Sequence, residues 1–269
     1  CLRRRHPTAA CRGSFPVDRG TLVTRDCCAL SAASRSLDNL LHRTSVSVGL
    51  DEISRLIGYP SPEHISAPVR DTCLAEIARL PALCEPWGTW RDFELRSTHA
   101  DRIELAGGLR LSSRRLARLM RRARTLRLFV ATLGDGVSHE IRRLVHDDCM
   151  PEAMALDAAA TVAIHSLSED LIRRTCDEVQ KIGLGTTTRY APGYTGWDIR
   201  DITALFETLG QEMPVRLNAQ LMMRPEKSLL SIVGLTDDGR VAAPLEQCQG
   251  CDLLRCSARE APYRAPRAT

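Results

Sequence analysis

The tightest constraint on how this chain can fold is the shortness of the links between its strand-like runs. Residues 91–96 and 101–105 are alternating segments separated by only a few polar positions, and 214–222 and 228–235 stand in the same relation. Parallel neighbours need a crossover of a dozen residues or more, whereas antiparallel neighbours can be joined by a tight turn. Longer stretches of helical periodicity lie between these pairs, so helices and strands are interleaved. The pattern predicts an α+β fold with a mixed, mostly antiparallel twisted sheet and packed helices, not a doubly wound parallel sheet.

The elements follow from periodicity and breakers. Residues 50–57 predict a short helix that stops at Gly58-Tyr59-Pro60. From Ala67, the residues Val69, Cys73, Ile77 and Leu80 recur at helical spacing until Pro81. Ser112 is a candidate cap for a helix running to about Arg124, with Leu116, Leu119, Met120 and Ala123 on one face. Residues 126–133 (LRLFVATL) form an apolar strand ended by Gly134, and a helix is expected at 135–147. Pro151 suits the opening of a long helix reaching Gln180. Gly183 and Gly185 turn the chain into a glycine-rich loop, and a helix at 199–209, with Asp198 as its cap, ends at Gly210. Residues 1–47 show no periodicity and read as a disordered arm or a stretch translated upstream of the true start. The expected division is 1–47, a folded domain at 48–245, and a cysteine-containing tail at 246–269.

Composition removes several classes. A net charge of +4 over 269 residues falls short of the concentrated excess of a nucleic-acid binder. Six arginines between 114 and 124 form the basic stretch, but the apolar face at 116, 119, 120 and 123 reads as a solvated amphipathic helix, with docking onto an acidic partner surface as the alternative. No apolar run reaches transmembrane length, so neither nucleic acid nor membrane is an expected partner. Eleven cysteines in a chain of this length do not make a disulfide scaffold, and a reducing cytoplasm is the expected location.

The densest unusual segment is RYAPGYTGW, residues 189–197, in a chain otherwise poor in aromatics. Pro192-Gly193 is a turn dipeptide, and a loop so constrained can present the backbone of Ala191 and the ring of Tyr194 to a flat ligand. Arg189 can pair with a carboxylate through two parallel hydrogen bonds. The plainer reading is a turn whose aromatics fill the core beneath it. A second constellation is Cys248-x2-Cys251-x4-Cys256. Three thiolates on one turn suit a zinc ion or an iron–sulfur cluster, but four ligands are needed. Either a distal residue such as Cys176 completes the set, or an open position remains, or these are reduced thiols.

The 189–194 segment resembles the AdoMet-binding loop of the cobalamin-dependent methionine synthase activation domain family, Arg-x-x-x-Gly-Tyr, in its short stand-alone form. Arg189, Ala191, Pro192, Gly193 and Tyr194 occupy the matching places, followed by Gly196-Trp197. Residues 131–134 (ATLG), the helix around Leu156-Asp157-Ala158, and Met222-Met223 through Pro225, Lys227 and Ser228 are similar to further segments of that family, in the same order. Two departures stand out. His165 and Thr161 follow Asp157 where the family usually carries Glu eight positions on, and Leu217-Asn218-Ala219-Gln220 replaces a strand that often reads Leu-Thr-Glu-Ser.

The resemblance implies an S-adenosylmethionine-binding module that supports reductive remethylation of a corrinoid, with Arg189, Ala191, Gly193 and Tyr194 holding the ligand and no catalytic residue of its own. Around none of its histidines does the chain carry a corrinoid-binding Asp-x-His-x-x-Gly motif, so cobalamin would come on a partner, a corrinoid-binding protein or methionine synthase subunit. A reductase or flavodoxin-like donor would supply the electron. The alternatives are a reactivator of another corrinoid methyltransferase system, its cysteines relaying an electron, and a non-catalytic binding module held by a structural metal at Cys248, Cys251 and Cys256.

Overall fold

Two long strands carry apolar side chains toward both faces of the sheet, and that puts them at its centre. The computed structural model describes residues 48–210 and 212–242, with 248, 249, 251, 253, 254, 256, 259 and 261–264 of the C-terminal stretch. The expectation for 1–47 lies outside these residues. In chain order the elements are α1 (Leu50–Leu56), a 3-10 turn (Pro62–His64), α2 (Ala67–Leu83), β1 (Trp87–Thr98), β2 (Arg102–Leu105), β3 (Arg110–Ser112), α3 (Arg114–Met120) and β4 (Ala123–Thr132). Then come α4 (Gly136–His146), α5 (Met150–Gln180), β5 (Gly185–Thr186), α6 (Asp201–Leu209), β6 (Arg216–Leu217), β7 (Met223–Arg224) and β8 (Ser228–Thr236).

Six strands form one sheet in the order β3-β2-β1-β4-β8-β5, and β6 pairs with β7 apart from it. Each of these pairs is antiparallel. A parallel bridge between Thr186 and Val241 adds the mixed component at the β5 edge. The fold is thus the expected α+β arrangement.

The alternation of side chains along a strand sorts the core into two layers. Phe129, Ala131 and Leu133 from β4 and its end, with Val233 and Leu235 from β8, pack against Leu156, Ala159, Ala160, Ala163, Leu167 and Leu171 of α5. On the opposite face Leu126, Leu128, Val130, Leu230 and Ile232 meet Leu116 and Met120 of α3, Ile202 and Leu205 of α6, and the rings of Tyr190 and Trp197. The 31 residues of α5 extend roughly 46 Å at 1.5 Å per residue, and a run of alanines on the buried face lets so long a helix lie close. Gly88 of β1 gives further room: a Cβ there would stand 3.0 Å from Leu171 Cδ1.

One charged side chain interrupts the apolar face toward α5. Arg127 on β4 is 3% exposed and sits directly opposite Asp92 of β1. Its Nε and Nη2 donate to the two Asp92 carboxylate oxygens at 2.7 and 2.8 Å, and Nη1 donates to Thr175 Oγ1 and Glu178 Oε2 on α5, each at 3.3 Å. The guanidinium also lies 5.2 Å from the centre of the Trp90 ring. Burial opposes its charge, but Asp92 and Glu178 outweigh that and its pKa is raised.

Local differences from the sequence reading have local causes. Ser113, not Ser112, caps α3, accepting from the Leu116 N–H at 3.0 Å. That helix stops at Met120 because Ala123 already pairs with Thr236 of β8. Helix α2 continues through Pro81 to Leu83, since a missing N–H this close to the end removes one of the last bonds only. The strand expected at 214–222 is a hairpin instead. Asn218 Oδ1 accepts from the N–H groups of Gln220 and Met222, at 3.0 and 2.9 Å, and turns the chain there. The cap of α6 is Arg200; Asp198 lies two residues before it and accepts from the Arg200 N–H at 2.9 Å. Among the described residues, no helix is long and apolar enough to cross a membrane.

Replacing Asp92 by Asn leaves a buried guanidinium without its anion and should cost about 3 kcal/mol, the low end for breaking a buried pair, because Asp92 keeps some water contact and Glu178 remains. Removing both charges, as Arg127→Leu with Asp92→Leu, should restore most of that. Urea unfolding of the three proteins measures both; equal stability of Asp92→Asn and wild type refutes the role given to the pair.

Candidate functional site

The 189–197 loop is built on β8. Tyr190 donates its N–H to Ile232 O at 3.0 Å and accepts from the Ile232 N–H at 2.8 Å, which fixes the loop's entry against the sheet. The Tyr190 ring stacks on Trp197 with centroids 5.4 Å apart, and both are buried. Tyr190 OH donates to Thr195 O at 2.7 Å, Ser113 Oγ to Gly196 O at 2.6 Å, and Trp197 Nε1 to Asp201 Oδ2 at 2.7 Å. Gly193 has φ +87°, a region L side chains rarely adopt, and there the chain reverses, its N–H donating to Trp197 O at 3.0 Å. Two of the three aromatics therefore fill the core, as the plainer reading had it. Tyr194 is half-buried, edge-on to Tyr190 at 6.0 Å.

Arg189 points the other way, toward α5, where its Nη1 donates to Ser168 Oγ at 3.1 Å. Arg189 and Tyr194 both line an open cleft of about 930 Å³ along the β5 edge of the sheet. Ala191 and Gly193 are not among its lining residues: Ala191 is buried, its carbonyl accepts from the Tyr194 N–H at 3.2 Å, and Gly193 lies beside Ile199. Of the four residues expected to hold a ligand, two thus reach the cleft and two shape the turn that places them.

Three of the remaining family-like segments converge beside α5. Lys227 Nζ lies 2.8 Å from Asp157 Oδ1 and donates to Thr161 Oγ1 at 2.8 Å. Lys227 O accepts from the Leu133 N–H at 2.9 Å, and Ser228 Oγ donates to Thr132 Oγ1 at 2.8 Å. So 131–134, 157–161 and 225–228 meet at one end of the central strands. Two turns further along α5 stands His165, half-buried; burial first, then the charges of Arg189 and Lys227, lower its pKa below the ordinary imidazole value. Ser168 was missed in the sequence. Its only trace there is its place on the Asp157–Thr161–His165 side of the helix, three residues past His165.

The C-terminal cysteines form a different kind of structure. Arg259 reaches into them: Nη1 donates to Cys248 O at 2.7 Å and Ala261 O at 3.0 Å, and Nη2 to Cys251 O at 2.8 Å and Leu253 O at 2.7 Å. Cys248, Cys251 and Cys256 are half-buried free thiols. Among the described residues, no group of three or more His, Cys, Asp or Glu side chains is assembled to hold a metal ion. Cys176, the distal ligand considered above, lies on α5 with its Sγ 3.5 Å from Thr186 Oγ1.

The chain matches no family model and no curated protein. Among solved structures, the MetH reactivation domain bound to AdoHcy superposes with a TM-score of 0.49 at 15% identity, covering 68% of this chain and 70% of that one, a likeness too loose to bear on ligand or activity.

Proposed function

We propose that this chain binds S-adenosylmethionine at the Arg189–Tyr194 end of the cleft and serves as an activation-type module for a corrinoid held on another polypeptide. The observation that carries the reading is the placement of Arg189: it lines the cleft together with Tyr194, and its guanidinium is held by Ser168. Arg189 would take the methionine carboxylate, and Tyr194 would bound the ligand on its apolar side. When bound, AdoMet would be a source of methyl groups for a corrinoid on the partner, with a reductase or flavodoxin-like donor supplying the electron. The chain's own task is positioning, with no acid–base step assigned to any residue.

Arg189 and Ser168 support the reading at the carboxylate end, and fewer residues support it elsewhere. Asp157 is engaged by Lys227, and His165 stands where the resemblance implies a glutamate. Affinity therefore rests heavily on Arg189. A hydrogen-bonded charge contributes about 1.5–3 kcal/mol, so Arg189→Ala should weaken AdoMet binding by roughly 10- to 150-fold, with Tyr194→Phe costing less. Isothermal titration alongside circular dichroism tests this. A wild-type protein that shows no heat at millimolar AdoMet ends the proposal; an Arg189→Ala variant that binds unchanged gives the loop another role.

His165 supplies a second expectation. Its folded pKa is depressed, so between that value and an unfolded value of about 6.5 the unfolded chain binds more protons. The stability it contributes is present above the unfolded value and is lost as pH falls toward the folded one. His165→Gln should flatten that part of the stability–pH curve. NMR titration of the ring should show it neutral at a pH where an exposed histidine is already charged.

A further inference from the structure

The same cleft continues past Arg189 into a half lined by Arg114, Arg115, Arg118, Arg121, Arg122 and Arg240. The fold gathers them for structural reasons. Helix α3 buries Leu116, Ala117 and Met120 against the sheet, so its arginines must face outward, and the β8 exit brings Arg240 to the same space. Asp238 is the one carboxylate among the described residues that line the cleft. It is already committed, lying 3.8 Å from Arg122 and accepting from Thr236 Oγ1 at 2.6 Å and the Arg240 N–H at 3.2 Å. Arg115 is held over the Tyr190 ring at 5.7 Å.

Arg114, Arg118 and Arg121 line one concave volume, and an anion between such guanidiniums relieves their mutual repulsion. The sign is wrong for AdoMet, whose sulfonium and ammonium outnumber its carboxylate. We infer that this half of the cleft binds a polyphosphate group. Guanidinium forks match phosphate oxygens in pairs; α3 and the turn after it supply Arg114, Arg115, Arg118, Arg121 and Arg122, and the β8 exit supplies Arg240. The whole cleft, about 930 Å³, is within the range of small-molecule sites, and Tyr263 in its lining is an aromatic side chain suited to a base. The inference does not depend on the AdoMet reading.

The test is calorimetric titration of the full chain with inorganic triphosphate and with ATP, at about 50 and about 300 mM salt, on wild type and on Arg118→Ala/Arg121→Ala. Binding of at least one probe at low salt, weaker at high salt and reduced at least about tenfold in the variant, supports the site. Tighter binding of ATP would assign a nucleoside polyphosphate; equal binding would assign the phosphate groups alone. No binding of either probe at millimolar concentration overturns it. So does a variant that binds as well as wild type, or a single-stranded oligonucleotide that binds about a hundredfold tighter than triphosphate, which would mark a nucleic-acid surface. Circular dichroism and the melting temperature confirm the variant's fold, and Arg118→Lys/Arg121→Lys should keep part of the affinity. A parallel AdoMet titration separates the two readings, because the variant leaves Arg189 and Tyr194 in place.

Discussion

The pairing of Arg127 with Asp92 sets a register that hydrophobicity alone leaves loose. A strand with one buried face punishes a one-residue slip, because the slip carries every apolar side chain into water. β4 is apolar on both faces, so a slip would exchange apolar for apolar across most of its length. Arg127 removes that freedom. On the α5 side it meets a carboxylate directly across the ladder and two further acceptors on the helix; on the other side it would enter the layer of Leu126, Leu128 and Val130 with none of these partners. A buried pair of this kind adds little net stability, but an unpaired buried guanidinium is costly, and that difference specifies the arrangement.

With the register set, the geometry of the cleft follows. β8 pairs with β4 along nine residues and hands its outer edge to β5 and Tyr190. That edge is where the 189–197 loop enters, so Arg189 is fixed between the sheet and α5 while the Tyr190–Trp197 stack anchors the loop on the opposite layer. Opposite layers thus hold the two ends of one short segment. This is why its turn can be rigid although the chain around it is exposed. The arginines of α3 reach the same edge because the helix packs under β4 and is cut short by it.

The loop also shows how one motif divides its labour. Gly193 and Ala191 act through the backbone path, Trp197 through burial, and Arg189 and Tyr194 line the cleft together with Tyr190, Thr195 and Gly196. A sequence pattern records all these positions alike; only the fold separates those that could meet a ligand from those that hold the turn.

Much was legible beforehand. The apolar run at 126–133, the long helix opened by Pro151 and the stop at Gly210 are local properties, written in side-chain periodicity and backbone restriction, and the structure places all three as expected. The short link between 91–96 and 101–105 gave antiparallel neighbours for the same local reason, whereas 214–222 does not pair with 228–235, because β8 is taken by β4 and β5. The strand order β3-β2-β1-β4-β8-β5, the meeting of Lys227 with Asp157, the Ser168 support of Arg189 and the gathering of arginines around one cleft were not legible. Each joins residues far apart in the chain, and no local pattern encodes a distance across a sheet. Side-chain periodicity and breakers settled most of the helices and the long strand at 126–133, and with them which residue types are available. Only tertiary packing decided which of them face one another, because burial of the two apolar layers and the demand that a buried charge find its partner act on the whole chain at once.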